Sequence, residues 1–409
     1  MSGSAIPASF FPALKTFAEF SRKKVRINTI GNTVANPGEL VQILLLEGKI
    51  DLSTFSLGGY LTTTTGTGST RAGPVQTLIE QVLVEVGSLQ MHPNFNYFGH
   101  VWNMFQDLQG DWNKSGINSI LNLTPTSSNA IAANQTSVPF QLNRFIGFLN
   151  DVKILNTDRL PPVRISFRLA QPNVLASSAG ATTPSFQLTQ LYALVDMVKL
   201  SPVYDELLTQ RISQSPIQIP YQNFQVIPCA QGTLTSVNRF SSTVDALERA
   251  YATFVPTTYQ APVQTLDTTT FQSTAFTRGG ADIATLPFNG VWTINGMRFG
   301  EQPAYNERGE ILLQTLQTIN EDHDITCQPH PNLNSLANFS GHFFAHGVNW
   351  SWNDEDSTSR KCGLSSLGQN LQGSYETSST GSNVYQPLLI IQSKAMLEVG
   401  SGRVARVLY

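Results

Sequence analysis

Cysteine is nearly missing from this chain of 409 residues, which has only Cys229, Cys327 and Cys362. Three scattered thiols exclude a disulfide framework, so reduced cysteines in a cytosol-like compartment are the expectation. Charge is scarce as well. Asp, Glu, Lys and Arg make up 13% of the residues, about half the share usual in soluble domains. The net charge of −3 gives the body of the protein no electrostatic reason to hold nucleic acid. No apolar run reaches membrane-spanning length, and segments such as Val41–Leu46 read as buried strands. Lys15, Glu19 and the Arg22-Lys23-Lys24 cluster interrupt any apolar core that a leader peptide would need. Without a secretory route, the sequons at Asn113, Asn122, Asn134, Asn338 and Asn349 are products of composition. Catalytic signatures are missing too. Gly66 and Gly68 are followed by no Gly-Lys-Ser/Thr, there is no Gly-x-Ser-x-Gly elbow, and no Cys–His pair sits in a protease context.

What the chain has in abundance is neutral polarity. Ser, Thr, Asn and Gln number 37, 39, 28 and 28. Such a surface loses less desolvation energy when buried against another subunit than a charged one does. The same bias is common in secreted carbohydrate binders, so composition leaves both readings open. Along the chain, Ile6 to Arg26 predicts a short amphipathic helix or arm, with Phe10, Leu14 and Phe17 on one face and Arg22, Lys23, Lys24 and Arg26 behind. Leu40–Leu46, Ile50–Leu57, Val163–Leu169 and Phe186–Leu200 read as strands, and Val75–Val86 has helical spacing. Residues 93–136 are irregular and aromatic, with a short helix at His100–Leu108, and are expected on the surface of a sandwich. Tyr204–Arg211 reads as a helix and Ser213–Pro220 as a linker. The expected division is an arm at 1–26, a first unit at 27–212 and a second at 213–409. In the second unit, Tyr221–Val226 and Leu234–Phe240 read as strands, Thr243–Phe254 and Glu307–Ile319 as helices, and Val291–Phe299 as a hairpin turning at Asn295-Gly296. His342–Trp352 reads as a strand, and Tyr385–Ile391 with Ala395–Leu408 as a closing hairpin. The fold class is therefore all-β: two consecutive sandwiches with a few short helices and long loops.

An ordered set of segments in the second half resembles the C-terminal jelly roll of double-jelly-roll major capsid proteins from tailless icosahedral DNA viruses. The set begins with Ser201-Pro202-Val203-Tyr204-Asp205-Glu206-Leu207-Leu208 leading into Ile219-Pro220-Tyr221-Gln222. Then come the Val291–Phe299 hairpin ending in Gly300-Glu301-Gln302-Pro303, Phe343-Phe344, the acidic Asn353–Asp356 turn, and Lys361-Cys362-Gly363-Leu364 through Gly368. Pro387–Ile391 and Leu397–Val404 complete it. The resemblance covers about half of the chain, while the first half fits in architecture only. It implies two jelly rolls, a homotrimeric capsomer of pseudo-hexagonal outline tiling an icosahedral shell, and no catalytic residues, cofactor or metal. Implied partners are neighbouring capsomers, penton and minor capsid proteins, and an internal membrane or the genome through the arm. The implied location is the virion, after synthesis in the host cytosol or nucleus.

Three constellations compete with that reading. His323, Cys327 and His330 are near metal-ligand spacing, and His342 and His346 would share one strand face, but closed zinc sites have tighter paired spacing. Asp354-Glu355-Asp356 with Asp322 and Asp324 could meet calcium, yet lacks the regular ligand spacing and turn glycine of a calcium loop. A glycan-binding sandwich of spike or adhesin type would use Tyr97, Trp102 and Trp112 as an aromatic platform. A cupin-like enzyme would need further metal-binding residues near a barrel mouth.

Overall fold

Val163–Leu169 alternates strictly, and it forms a strand whose odd-numbered side chains are all buried while Arg164 and Arg168 face out. The computed structural model describes residues 21–64, 73–93, 95–109, 121, 138–143, 145–176, 185–200, 202–244, 246–256, 264–299, 308–319, 330–351, 363–365 and 371–409. In the first half, the strands are β1 (Ser21–Asn28), β2 (Leu40–Leu44), β3 (Lys49–Thr64), β4 (Ile79–Val86), β5 (Leu89–Gln90), β6 (Val138–Leu142), β7 (Ile154–Asn156), β8 (Val163–Leu169) and β9 (Ser185–Lys199). The second half has β10 (Ile217–Pro228), β11 (Ser236–Ser242), β12 (Leu247–Pro256), β13 (Leu266–Asp267), β14 (Gln272–Ser273), β15 (Phe288–Ile294), β16 (Met297–Phe299), β17 (His346–Asn349), β18 (Leu371–Ser379), β19 (Tyr385–Val399) and β20 (Ala405–Leu408). The helices are α1 (Phe98–Gln109), α2 (Phe148–Asp151), α3 (Pro202–Gln214), α4 (Ala281–Thr285), α5 (Arg308–Ile319) and α6 (Leu336–His342).

Strand order defines the architecture. β1-β9-β3-β6 form one sheet of the first half, with β7 beside β3, and β2-β8-β4-β5 form the other. In the second half the sheets are β10-β19-β12-β17, with β20 beside β19, and β11-β18-β15-β16. The chain thus passes back and forth between two sheets, pausing at the β4–β5 and β15–β16 hairpins, in the same order twice, which makes two consecutive jelly rolls. Aromatic rings fill each sandwich. Phe55 of β3 stacks across on Phe167 of β8, and Phe254 of β12 meets Phe288 of β15 and Tyr375 of β18.

Several elements differ from the sequence-based expectation, each for a physical reason. Val75–Leu78 is a 3-10 turn, and Ile79–Val86 is β4 rather than helix. A bulge between Ile79 and Gln81 inserts one residue into its alternation, which mimics helical spacing. Thr243–Phe254 likewise contains β12, bulged between Leu247 and Arg249 and buried on both faces, so it carries no two-residue period. Ile217–Pro220 belongs to β10 and not to a linker; β10 is an edge strand, where Pro220 breaks no central ladder. Residues 21–26 are strand, not helix, since β1 pairs antiparallel with β9. Tyr385–Val399 is a single strand, buried throughout, and the closing turn falls after it, before β20.

Candidate functional site

Among the described residues, the histidines singled out by spacing do not gather into a metal site. His323 and Cys327 lie outside the described residues, as do Asp322, Asp324 and Asp354–Asp356. His342 ends α6 while His346 begins β17, so they do not share a strand face as expected. His342 Nδ1 meets Asp267 Oδ2 at 2.7 Å. Burial works to raise the Asp267 carboxyl, but the hydrogen bond and charge of His342, with the Thr269 N–H and the Thr277 hydroxyl, hold it below its ordinary value. His346 sits in the core of the second sandwich, its Nδ1 2.9 Å from the Tyr375 hydroxyl and its Nε2 3.1 Å from Gln314 Oε1. Among the described residues, no three His, Cys, Asp or Glu side chains are grouped to hold a metal.

Of the expected aromatic platform, Tyr97 is half-buried. Trp102 is buried in α1, and Trp112 is outside the described residues. α1 itself corrects the expectation of a surface insertion, because Phe98, His100, Val101, Asn103, Met104, Asp107 and Leu108 are all buried. The helix is wedged between the two sandwiches, which is why it is covered nearly all round.

That junction holds a cluster of buried polar groups. Asn103 and Gln272 exchange amide hydrogen bonds of 2.8 and 3.0 Å, and His100 Nε2 donates to Ala275 O at 3.1 Å. Asp107 Oδ2 accepts from Arg278 Nη2 at 2.7 Å, with both side chains 1% exposed. The backbone N–H of His330 bonds to Asp107 O. On the β10 side, Phe148 N–H donates to His92 Nε2 at 2.8 Å, which leaves the proton on Nδ1 facing Asn223 Oδ1 at 3.3 Å. Tyr221 donates to Met91 O, and Gln222 N–H donates to the Asp151 carboxylate. Phe95 and Phe105 pack on Phe224, and Phe105 also packs on Tyr251. None of these signals was visible in the sequence, since each partner lies more than a hundred residues away or carries no motif.

Three of the basic side chains, those of Arg22, Lys24 and Arg26, are engaged by the first sandwich. Arg22 reaches Asp51 at 2.6 Å and Asp196 at 3.7 Å, Lys24 reaches Asp196 at 4.0 Å, and Arg26 lies 4.0 Å over the Tyr192 ring. Residues 6–20 retain only Lys15 and Glu19 as charged side chains. Most of the described charge that suggested an arm touching lipid or genome is therefore engaged within a sheet, and residues 6–20 lie outside the described residues. No helix among the described residues is long and apolar enough to cross a membrane.

No protein-family model matches the sequence, and no curated protein matches it. Solved structures do. The capsid of PBCV-1, in its quasi-atomic model, aligns at a TM-score of 0.63 and 12% identity, covering 96% of this chain and 97% of that one. The Faustovirus major capsid protein aligns at 0.62 and 10% identity, covering 94% and 91%. The mavirus major capsid protein aligns at 0.51 and 9%, covering 94% and 90%. The shared property is the fold: two jelly rolls along nearly the whole length of both chains.

Proposed function

We propose that this chain is the structural subunit of a virion shell, a major capsid protein that forms homotrimeric, pseudo-hexagonal capsomers and tiles an icosahedral capsid. The observation that carries this reading is the double architecture. Two jelly rolls of the same strand order are welded side by side through α1 and a buried polar junction, in a chain coextensive with capsid proteins. Three such chains in a ring would present six comparable sandwich edges to neighbouring capsomers. The buried histidines, carboxylates and arginine are engaged in holding sandwiches together, which supports a structural role rather than a catalytic one. On this reading the partners are further copies of the chain and other shell proteins, pentons and minor proteins among them, and the chain resides in the virion. The division of the chain follows the connector α3, with the first unit starting no later than Ser21 because β1 belongs to its sheet.

The test is the mass of the purified protein by light scattering across concentration. Three times the 44.8 kDa of one chain, persisting on dilution, is the expected result. A monomer at every concentration overturns the proposal.

A further inference from the structure

β1 is the outer strand of its sheet, and apolar burial does little to hold it there. Of its eight residues only Ile27 is buried and Val25 half-buried, while Ser21, Arg22, Lys23, Lys24, Arg26 and Asn28 are exposed. Every other described strand of seven residues or more buries at least three side chains. β1 does pair with β9 along its full length, from Ser21 opposite Lys199 to Asn28 opposite Tyr192. An edge ladder of this kind trades its bonds for bonds to water, so by itself it adds little net stability.

What fastens β1 is charge. Asp51 of β3 and Asp196 of β9 stand directly opposite each other in the register, 5% and 8% exposed. Two carboxylates facing each other across a strand pair repel, and burial deprives them of water. Arg22 relieves both problems. Its guanidinium lies 2.6 Å from Asp51 Oδ2 and 3.7 Å from Asp196 Oδ2. Lys24 adds a longer contact of 4.0 Å to Asp196 Oδ1, an oxygen that accepts no hydrogen bond. Past Asn28 the chain is tied down by its backbone instead. Ile30 N–H donates to Gln42 O of β2, and Ala35 and Leu188 exchange both of their backbone bonds. The segment free to swing is therefore Ser21–Asn28, with its pivot just before Ile30.

We propose that β1 is a charge-latched strap: Arg22 on the Asp51–Asp196 pair holds it closed, and it opens as a unit while the rest of the first sandwich stays folded. Opening bares the edge of β9 from Tyr192 to Lys199 together with both carboxylates. A separable strand thus stands where residues 1–20 join the body of the protein. The strap goes beyond the capsomer reading and does not depend on it.

Hydrogen exchange followed by mass spectrometry on the full chain reads such an opening directly. In the unmodified protein, residues 21–28 are expected to exchange faster than β3 and β8. Arg22→Gln should speed them by a further factor of about ten, the share of one charge-assisted hydrogen bond, and leave β8 unchanged. Lys23→Gln removes the same charge from a side chain opposite Met197, with no acidic partner among the described residues, and should have no such effect. About 1 M salt should speed the opening of the unmodified strand more than that of Arg22→Gln, since Arg22 is 48% exposed and open to screening. Should Arg22→Gln disturb β3 through the carboxylates it leaves facing each other, Arg22→Gln with Asp196→Asn removes that repulsion and should still open β1. Residues 21–28 exchanging in step with β3 and β8 in every protein overturn the strap. Equal effects of Arg22→Gln and Lys23→Gln overturn it too, because the acidic pair would then not be the latch.

Discussion

His92, His100 and His346 are buried so completely that each imidazole has its pKa lowered from 6.5 to about 4, desolvation of the cation being the main cause. In the unfolded chain they take up protons near pH 6.5, so between pH 6.5 and 4 the unfolded state binds protons that the folded state refuses. Stability therefore falls as pH falls through that window. Asp151 works in the opposite sense. Burial lifts its carboxyl to about 6, against the Gln222 N–H, Asn150 and Lys394, which lower it. Between pH 6 and the ordinary carboxylate range, the folded chain keeps a proton that the unfolded chain loses. Three histidines against one carboxyl leave the acid side destabilised. His346 is the cleanest probe, because Gln at that position can still bond to Gln314 and Tyr375. From pH 7 to pH 4.5, His346→Gln is expected to lose about 2 kcal/mol less stability than the unmodified chain, roughly one histidine's share. Urea midpoints at the two pH values measure it, and parallel losses in both proteins would reject the assignment.

At the scale of elements, what was legible in the sequence depended on whether a period survived. β8, β9, α1, α3, α5 and the β15–β16 hairpin were readable because alternation, helical spacing or an Asn-Gly turn stood intact in consecutive residues. β4 and β12 were misread because a single bulged residue converts a two-residue period into spacings of three and four. β12 and β19 lie in the middle of a sheet, where burial of both faces erases alternation. The exposure of Leu313 on α5 and the wedge position of α1 could not be read at all, since a helix pattern does not say which face a partner takes. The hairpin offers a graded test. Asn295 and Gly296 have φ of 48° and 80°, the left-handed pair that a two-residue turn requires, and a Cβ on Gly296 would meet nothing within 4 Å. Gly296→Ala should then cost only the conformational penalty of about 1 kcal/mol. Gly279 also has positive φ, 97°, but a Cβ there would lie 2.1 Å from Ser340 O, on backbone that cannot step aside. Gly279→Ala is expected to unfold the second sandwich or prevent its folding, and equal urea midpoints for the two variants would contradict this account.

At the scale of the whole molecule, the question is whether two jelly rolls amount to one unit or two. The junction argues for one, and Asp107 with Arg278 is its most demanding element. The pair is fully buried, yet Asp107 Oδ1 and Arg278 Nε find no hydrogen-bond partner among the described residues. Desolvation of both charges is thus only partly offset by the one short contact between them. Removing a single partner strands the other, unpaired, in the buried junction. Arg278→Met should cost about 3–5 kcal/mol, because the Asp107 carboxylate loses its counterion without gaining water. Replacing both, Asp107→Leu with Arg278→Met, removes the stranded charge and should recover most of that loss, since an apolar pair of similar volume needs no hydrogen bonds. A double-mutant cycle by denaturant unfolding separates the outcomes. Strong coupling with recovery in the double variant means that the pair aligns the two sandwiches without adding net stability. If the single losses add instead, each side chain contributes through its own packing, and the ion pair is not what ties the halves together.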